Sequence, residues 1–340
     1  MTPDAVPFWF DRALRAPSEK GDLQVAGTNI HYEAWGDNDR PGVVLVHGSN
    51  AHLEWWRFVA PFLADNLRVV ALDSSGNGSS GWRERYSGDV FAEEVMAVAD
   101  AAIAQPKPFV VGHSFGGFVA LQAGYGHGER LGGIVFVDFT VMPPEAHFEW
   151  GGRAEKEGKE PRRTRVYDSL EAALARFRLL PEQPVRHPAV MDWIARNSLR
   201  PVEGAPRTRP ATPPSLGTGS VSGPAPPSFD GTSAIVRSAS AGGGSIEGWT
   251  WKFDPTLFDH LEMGGGQRDQ FLAMPCRSAL VVGEDSEDEG VLGASHMAEI
   301  TNHRLPIVTM PGTHHHLMFE EPLALAMALK GILLSWVQEE

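Results

Sequence analysis

Apolar residues in this chain come in short runs at regular intervals, separated by stretches of helical spacing. Val43-Val44-Leu45-Val46, Val69-Val70-Ala71-Leu72, Phe109-Val110-Val111 and Ile134-Val135-Phe136-Val137 are short, mostly β-branched and apolar throughout. That is the pattern of strands covered on both faces rather than one. Between them, Trp55 to Ala64 and Val90 to Ile103 read as helices, the latter with Val90, Phe91, Val95, Val98 and Ile103 on its apolar side. Ahead of the first run, residues 23–26 and 30–35 read as a hairpin through Gly27-Thr28-Asn29. The runs return late, at 278–283 and 305–310, and an amphipathic helix from Leu323 to Gln338 closes the chain. Strands alternating with helices predict an α/β, doubly wound, mostly parallel sheet. Ligand sites in such sheets lie at the carboxyl ends of the strands, where His47, Ser49, Asp73, Ser114 and Asp138 fall.

From Val141 to about Met274 the alternation stops and no strand-like apolar run is visible. Helical segments are expected at 168–180, 190–199 and 255–261, with Ser169 placed to cap the first. A helical block between two sheet strands would cover the ligand site. Within it, Pro201 to Ser245 is dominated by Pro, Gly and Ser and is expected to be disordered, having too little apolar surface to offset its ordering entropy. Val202-Glu203-Gly204 and Ile246-Glu247-Gly248 bracket this stretch like two copies of one junction, which suggests an insertion into a cap, with a naturally long lid linker as the alternative. The expected organisation is therefore a core at 1–142, a cap at 143–274 carrying the insert at about 201–247, and a second core part at 275–340.

The formal net charge of −14 argues against a nucleic-acid partner, which would require a basic face. No apolar run approaches the roughly 20 residues of a membrane span, and the N-terminus lacks the basic-then-apolar order of a secretory signal. Cys276 is the single cysteine, which fits a reducing cytoplasm.

The chemistry centres on Gly112-His113-Ser114-Phe115-Gly116, where an apolar run ends in Gly-x-Ser-x-Gly and a small-residue helix follows. Strand, tight turn and helix put a serine at the apex, with glycines where nothing bulky fits. A serine hydroxyl is a poor nucleophile at neutral pH and needs a base within hydrogen-bond reach. Among thirteen histidines, the His314-His315-His316 cluster lies just past a strand end, where a base can swing over the sheet. Adjacent histidines also suggest a metal, but no second ligand cluster at helical spacing accompanies them. Backbone N–H groups at Phe115 and Ser49 are placed to stabilise an oxyanion. The aromatics Trp55, Trp56, Trp249, Trp251, Phe139 and Phe148 are candidates for a pocket or, equally, for the core.

Taken together and in order, the His47-Gly48 strand end, the Asp73 to Ser80 loop, the Gly112 to Gly117 elbow, the helical block and the late histidine before Glu320-Glu321-Pro322 resemble the serine hydrolases of the α/β-hydrolase fold. The resemblance covers nearly all of the chain except the proline-rich insert. It implies an eight-stranded, mostly parallel sheet with an inserted helical cap, a Ser-His-acid triad, an esterase-like activity on a small-molecule ester, and no metal or organic cofactor. It selects His315, seven residues before Pro322, as the base. The common acid position of the family is here Ser286, in the loop Gly283-Glu284-Asp285-Ser286-Glu287-Asp288. A subset of relatives with serine there takes its acid from the strand after the elbow helix, which points to Asp138, with Asp288 and then Asp285 as alternatives. The same fold also serves C–C bond hydrolases, thioesterases, lactonases and perhydrolases, and a ligand-binding protein without turnover is a further alternative. Epoxide hydrolases and haloalkane dehalogenases of this fold carry aspartate at the apex, where this chain has Ser114.

Overall fold

A computed structural model describes residues 6–141, 162–203, 246–263, 265–287 and 291–339. In chain order the first half runs α1 (Phe8–Leu14), β1 (Glu19–Val25), β2 (Thr28–Trp35), β3 (Gly42–Val46), α2 (Ala60–Leu63), β4 (Arg68–Leu72), β5 (Tyr86–Ser87), α3 (Gly88–Ala102), β6 (Phe109–His113), α4 (Phe115–His127) and β7 (Gly133–Val137). An inserted segment follows with β8 (Val166–Tyr167), α5 (Leu170–Leu174), α6 (Pro188–Asn197), β9 (Leu199–Glu203), β10 (Ile246–Trp251), β11 (Leu261–Glu262) and α7 (Gln267–Ala273). The chain closes with β12 (Ser278–Gly283), α8 (Val291–Ile300), β13 (Ile307–Met310), α9 (Leu317–Glu320) and α10 (Pro322–Gln338).

The apolar runs pair into one eight-stranded sheet of order β1-β2-β4-β3-β6-β7-β12-β13. It is parallel from β4 onward, while β1 and β2 pair antiparallel at one edge. Because side chains alternate across a strand, an all-apolar run must bury two faces. The packing shows this directly. Val44, Val70, Ile134 and Leu280 join the core on the side of α3, α4 and α7, with Phe91, Val119 and Phe271. Their neighbours Val43, Val69, Val135 and Ala279 join the core on the other side, with Phe10 from α1, Leu63 from α2 and Leu329 from α10. Helices therefore cover both faces, and the carboxyl ends of β3, β4, β6, β7 and β12 open toward one rim.

In the inserted segment the helix expected at 190–199 lies two residues earlier, at Pro188–Asn197, the one expected at 168–180 is shortened, and strands appear that the hydropathy pattern did not reveal. Ser169 does cap a helix, its Oγ accepting from Ala172 N at 3.1 Å, but that helix stops at Leu174. The 255–261 helix is corrected to a 3₁₀ turn at Leu257–Asp259 followed by β11, which pairs in parallel with β5. A separate three-stranded antiparallel sheet has the order β8-β10-β9. Its strands carry no apolar run, because they are short and mix Arg, Glu, Thr and Gly with their aromatics. Pro201 is tolerated because β9 is an edge strand of that sheet. Residues 201–203 and 246–247 are thus ladder strands and not part of a disordered stretch, and Glu203 pairs with Ile246. The rest of the proline-rich stretch lies outside the described residues. Among the described residues no helix is long and apolar enough to cross a membrane.

Candidate active site

Ser114 occupies the turn between β6 and α4 with φ 53° and ψ −122°, a backbone conformation that costs on the order of 1–3 kcal/mol for a residue with a Cβ. Local packing holds it there. Its N–H donates to Val137 O at 3.0 Å, tying the apex to the neighbouring strand. The flanking glycines have steric causes. A Cβ on Gly112 would stand 2.2 Å from Gly116 O, and one on Gly116 would stand 2.5 Å from Val46 O. The helix can begin this close to β3 and β6 only because both positions lack side chains.

Of the three adjacent histidines, His315 is the one that reaches the serine. Its Nε2 lies 2.8 Å from Ser114 Oγ and its Nδ1 lies 2.7 Å from Asp138 Oδ2. A carboxylate only accepts, so Nδ1–H donates to Asp138 and the Nε2 lone pair faces the serine hydroxyl. His314 is instead tied through Nδ1 to Glu320 Oε1 at 2.9 Å, and His316 Nε2 sits 3.1 Å from Leu180 O. Gln183 holds the backbone of His316 on both sides, accepting from its N–H at 2.7 Å and donating to its carbonyl at 3.2 Å. The residue beside the proposed base is therefore clasped by the inserted segment.

Asp138 ends β7, is fully buried and adopts φ 46°. Burying a carboxylate is expensive unless donors surround it. Here Gly283 N donates to Oδ1 at 2.8 Å, while Ser286 Oγ at 2.6 Å and His315 Nδ1 share Oδ2. Ser286, at the position where the resemblance implies the acid, thus serves as a donor to the carboxylate of Asp138 beside the neighbouring strand. Asp285 is exposed and engages the site only through its backbone, its N–H donating to Thr313 O at 2.9 Å. Asp288 lies outside the described residues.

The other sequence candidates brace this rim. His47 bridges two loops, with Nδ1 2.8 Å from Gly48 O and Nε2 accepting from Ser74 N at 3.1 Å. Asp73 accepts from Leu53 N and Ser79 N, each at 2.7 Å, and Ser80 Oγ donates to Asp73 O. A Cβ on Gly48 would lie 3.3 Å from Ser114 Cβ, so the Gly48-Ser49 backbone runs directly beside the apex. Phe115 begins α4 on the other side.

Burial depresses the surrounding imidazoles. His316 is pushed down to about 3, with the neighbouring His315 adding to the effect of burial. Burial, then His315 and His316, hold His113 well below its ordinary 6.5, and burial lowers His47 and His52 as well. Among the described residues, the group that could hold a metal ion is His113, His315 and His316, which each offer one nitrogen within 4.8 Å of the others. His113 Nε2 is already 3.0 Å from His315 O, and His315 is engaged at both nitrogens, which leaves Nδ1 of His113 and of His316 buried without partners. One shared cation there would have no nitrogen of His315 to use without dismantling the contact to Ser114.

Of the aromatic candidates, Trp55, Trp56 and Phe139 are core residues at 7%, 0% and 1% exposure. Trp249 is half-buried on β10, and Phe148 lies outside the described residues. Trp251 lines a cavity of about 440 Å³ together with Asn50, Tyr167, Phe253 and Phe258. These partners were missed because nothing in their local sequence distinguishes a cavity wall from a core.

Residues 43–328 match the family model described as the alpha/beta hydrolase family, and the chain belongs to that family. Epoxide hydrolase B of Mycobacterium tuberculosis is 38% identical over 119 residues, which is 33% of each chain. The pimeloyl-[acyl-carrier protein] methyl ester esterase of Edwardsiella ictaluri is 34% identical over 95 residues, 28% of this chain and 35% of the relative. The alignments thus span about a third of the curated relatives. Among solved structures, the thioesterase domain from the curacin biosynthetic pathway superposes with a TM-score of 0.66 at 17% identity, covering 92% of this chain and 99% of the other. An esterase of M. tuberculosis superposes with a TM-score of 0.63 at 20% identity, covering 96% of each. At those identities the likeness concerns the fold.

Proposed function

We propose that the protein is a serine hydrolase that cleaves a small or medium carboxylic ester through an acyl-enzyme. Ser114 Oγ attacks the ester carbonyl while His315 Nε2 takes its proton. The tetrahedral oxyanion is met by the backbone N–H groups of Ser49 and Phe115. As the intermediate collapses, His315 returns the proton to the departing alcohol and Ser114 keeps the acyl group. Water then attacks the acyl-enzyme, giving its proton to His315, and the carboxylic acid leaves as Ser114 is regenerated. Asp138 holds the imidazole tautomer and stabilises the imidazolium. The inserted segment acts as a cap, a role supported by Gln183 gripping His316 and by Ser198 Oγ lying 2.8 Å from His52 Nε2. The observation that carries this reading is the unbroken chain Ser114 Oγ to His315 Nε2 to Asp138 Oδ2, at 2.8 and 2.7 Å.

Relatives named epoxide hydrolase raise the other reaction class. A serine alkoxide opening an epoxide would form a dialkyl ether, which has no carbonyl for water to attack, so the enzyme would be trapped after one turnover. The nucleophile at the apex therefore favours esters. A fluorophosphonate probe and a panel of chromogenic esters, applied to wild type and Ser114→Ala, test the reading. Labelling and turnover should both vanish in the variant. An unlabelled wild type, or turnover that survives the substitution, would show that another group does the chemistry.

A further inference from the structure

The cavity beside the candidate active site has a charge as well as a shape. Among the described residues its wall includes the exposed Arg162, Arg163 and Arg165 and no carboxylate, in a chain whose formal net charge is −14. Arg165 is exposed. Among the described residues no carboxylate lies within ion-pair distance of it, and its guanidinium sits 6.0 Å from the centre of the Tyr167 ring. Its backbone is not loose, since Arg165 O accepts from Thr250 Oγ1 at 2.8 Å and the next two residues pair with β10. The aromatic side is ordered too. Trp251 meets Tyr167 edge-on at 6.0 Å and stacks on Phe253 at 6.2 Å, and its Nε1–H points to Tyr167 Oη at 3.3 Å.

Two residues of the cavity wall adjoin residues of the candidate active site. Asn50 in its wall directly follows Ser49, and Phe258 packs edge-on against Phe115 at 5.3 Å. Its volume of about 440 Å³ falls within the range of small-molecule sites.

We propose that this cavity is the subsite for a carboxylate-bearing arm of the substrate, so that the preferred esters are monoesters of dicarboxylic acids or similarly anionic esters. The inference rests on the hydrolytic role of Ser114. The aromatic wall accommodates the methylene or ring portion of the arm. The guanidinium fork of Arg165, with Arg162, pairs with its terminal carboxylate, a match that arginine makes through two parallel N–H···O bonds.

The test compares 4-nitrophenyl hexanoate with the 4-nitrophenyl monoester of adipic acid, which differ at the chain end by a methyl against a carboxylate. Wild type should process the anionic ester with a kcat/KM about tenfold higher. That ratio should fall about tenfold in Arg165→Gln, chiefly through KM, and should invert in Arg165→Glu. Arg130→Gln, remote and paired with Asp100, should leave the ratio where it is. Added salt at 0.5 M should erode the wild-type preference, since an exposed ion pair is screened. Equal efficiency on both esters, or a ratio indifferent to Arg165, would overturn the subsite while leaving the hydrolase standing. No turnover of either ester, with no fluorophosphonate labelling, would overturn both.

Discussion

Asp138 is fully buried, and three donors converge on its carboxyl group. Its replacement by asparagine leaves the shape but removes the acceptor that holds Nδ1–H of His315, and an amide can present the imidazole in the wrong tautomer. We expect Asp138→Asn to lower kcat on a chromogenic ester by roughly 10⁴-fold, while Asp285→Asn stays within about twofold of wild type. The reverse ranking would move the acid to the loop after β12. Ser286→Ala removes one donor and leaves Asp138 under-satisfied, so urea unfolding should show a loss of about 1–3 kcal/mol. At this scale the serine stands out because a local motif marks it, whereas the family resemblance selects His315 from its cluster and Asp138 ahead of Asp288 and Asp285, since local sequence alone does not rank carboxylates that follow two different strands. The hydrogen bond from Ser286 to Asp138 exists only because β7 and β12 are neighbours in the sheet.

The elbow works as an element, a helix start pressed against two strands. Gly116→Ala would push a methyl into Val46 O and His47 O, both backbone atoms that cannot swing aside. Such clashes typically cost 1–3 kcal/mol or more, and they displace the Ser114 apex as well. The expected result is a folded but less stable protein with turnover reduced at least 100-fold, read by thermal melting and ester assay together, since a 1 Å misplacement is worth about that much. A second prediction concerns β9 and β10. Because Glu203 pairs with Ile246, residues 204–245 leave and rejoin the hairpin at adjacent points. Replacing them with Asn-Gly, which favours the tight turn that suits strand twist, should preserve folding and ester turnover. A variant that is insoluble or inactive would show that the stretch is integral to the fold. The repeated Val-Glu-Gly and Ile-Glu-Gly junctions flag this place in the sequence, but the strand ladder that gives them meaning is a tertiary fact.

Across the whole molecule, stability should depend on pH through imidazoles that are buried as neutral groups. His316 has a folded value of about 3 against an ordinary 6.5. Between those values the unfolded chain holds a proton that the folded chain does not, so stability is complete above about pH 6.5 and falls as pH falls. Below about pH 6 this one histidine contributes about 1.4 kcal/mol of loss per pH unit, and His113 adds in the same direction. Urea unfolding at pH 7, 6 and 5 should therefore show falling stability, and His316→Gln should make the fall shallower by about that slope. Equal slopes in the two proteins would contradict the assignment.

The sequence by itself determined what depends on near neighbours and on burial on both faces. That includes the apolar strands, the serine at a glycine-flanked apex and the order in which core and inserted segment follow one another. Tertiary structure decided what depends on which strands and loops lie side by side: the hydrogen bonds that bring Asp138, Ser286 and His315 together, the antiparallel strands of the inserted segment, and the arginines and aromatics that share one cavity wall. Hydropathy records whether a residue leaves water, whereas a site is made by which groups it meets there, and distant parts of one chain meet only once the sheet has been assembled.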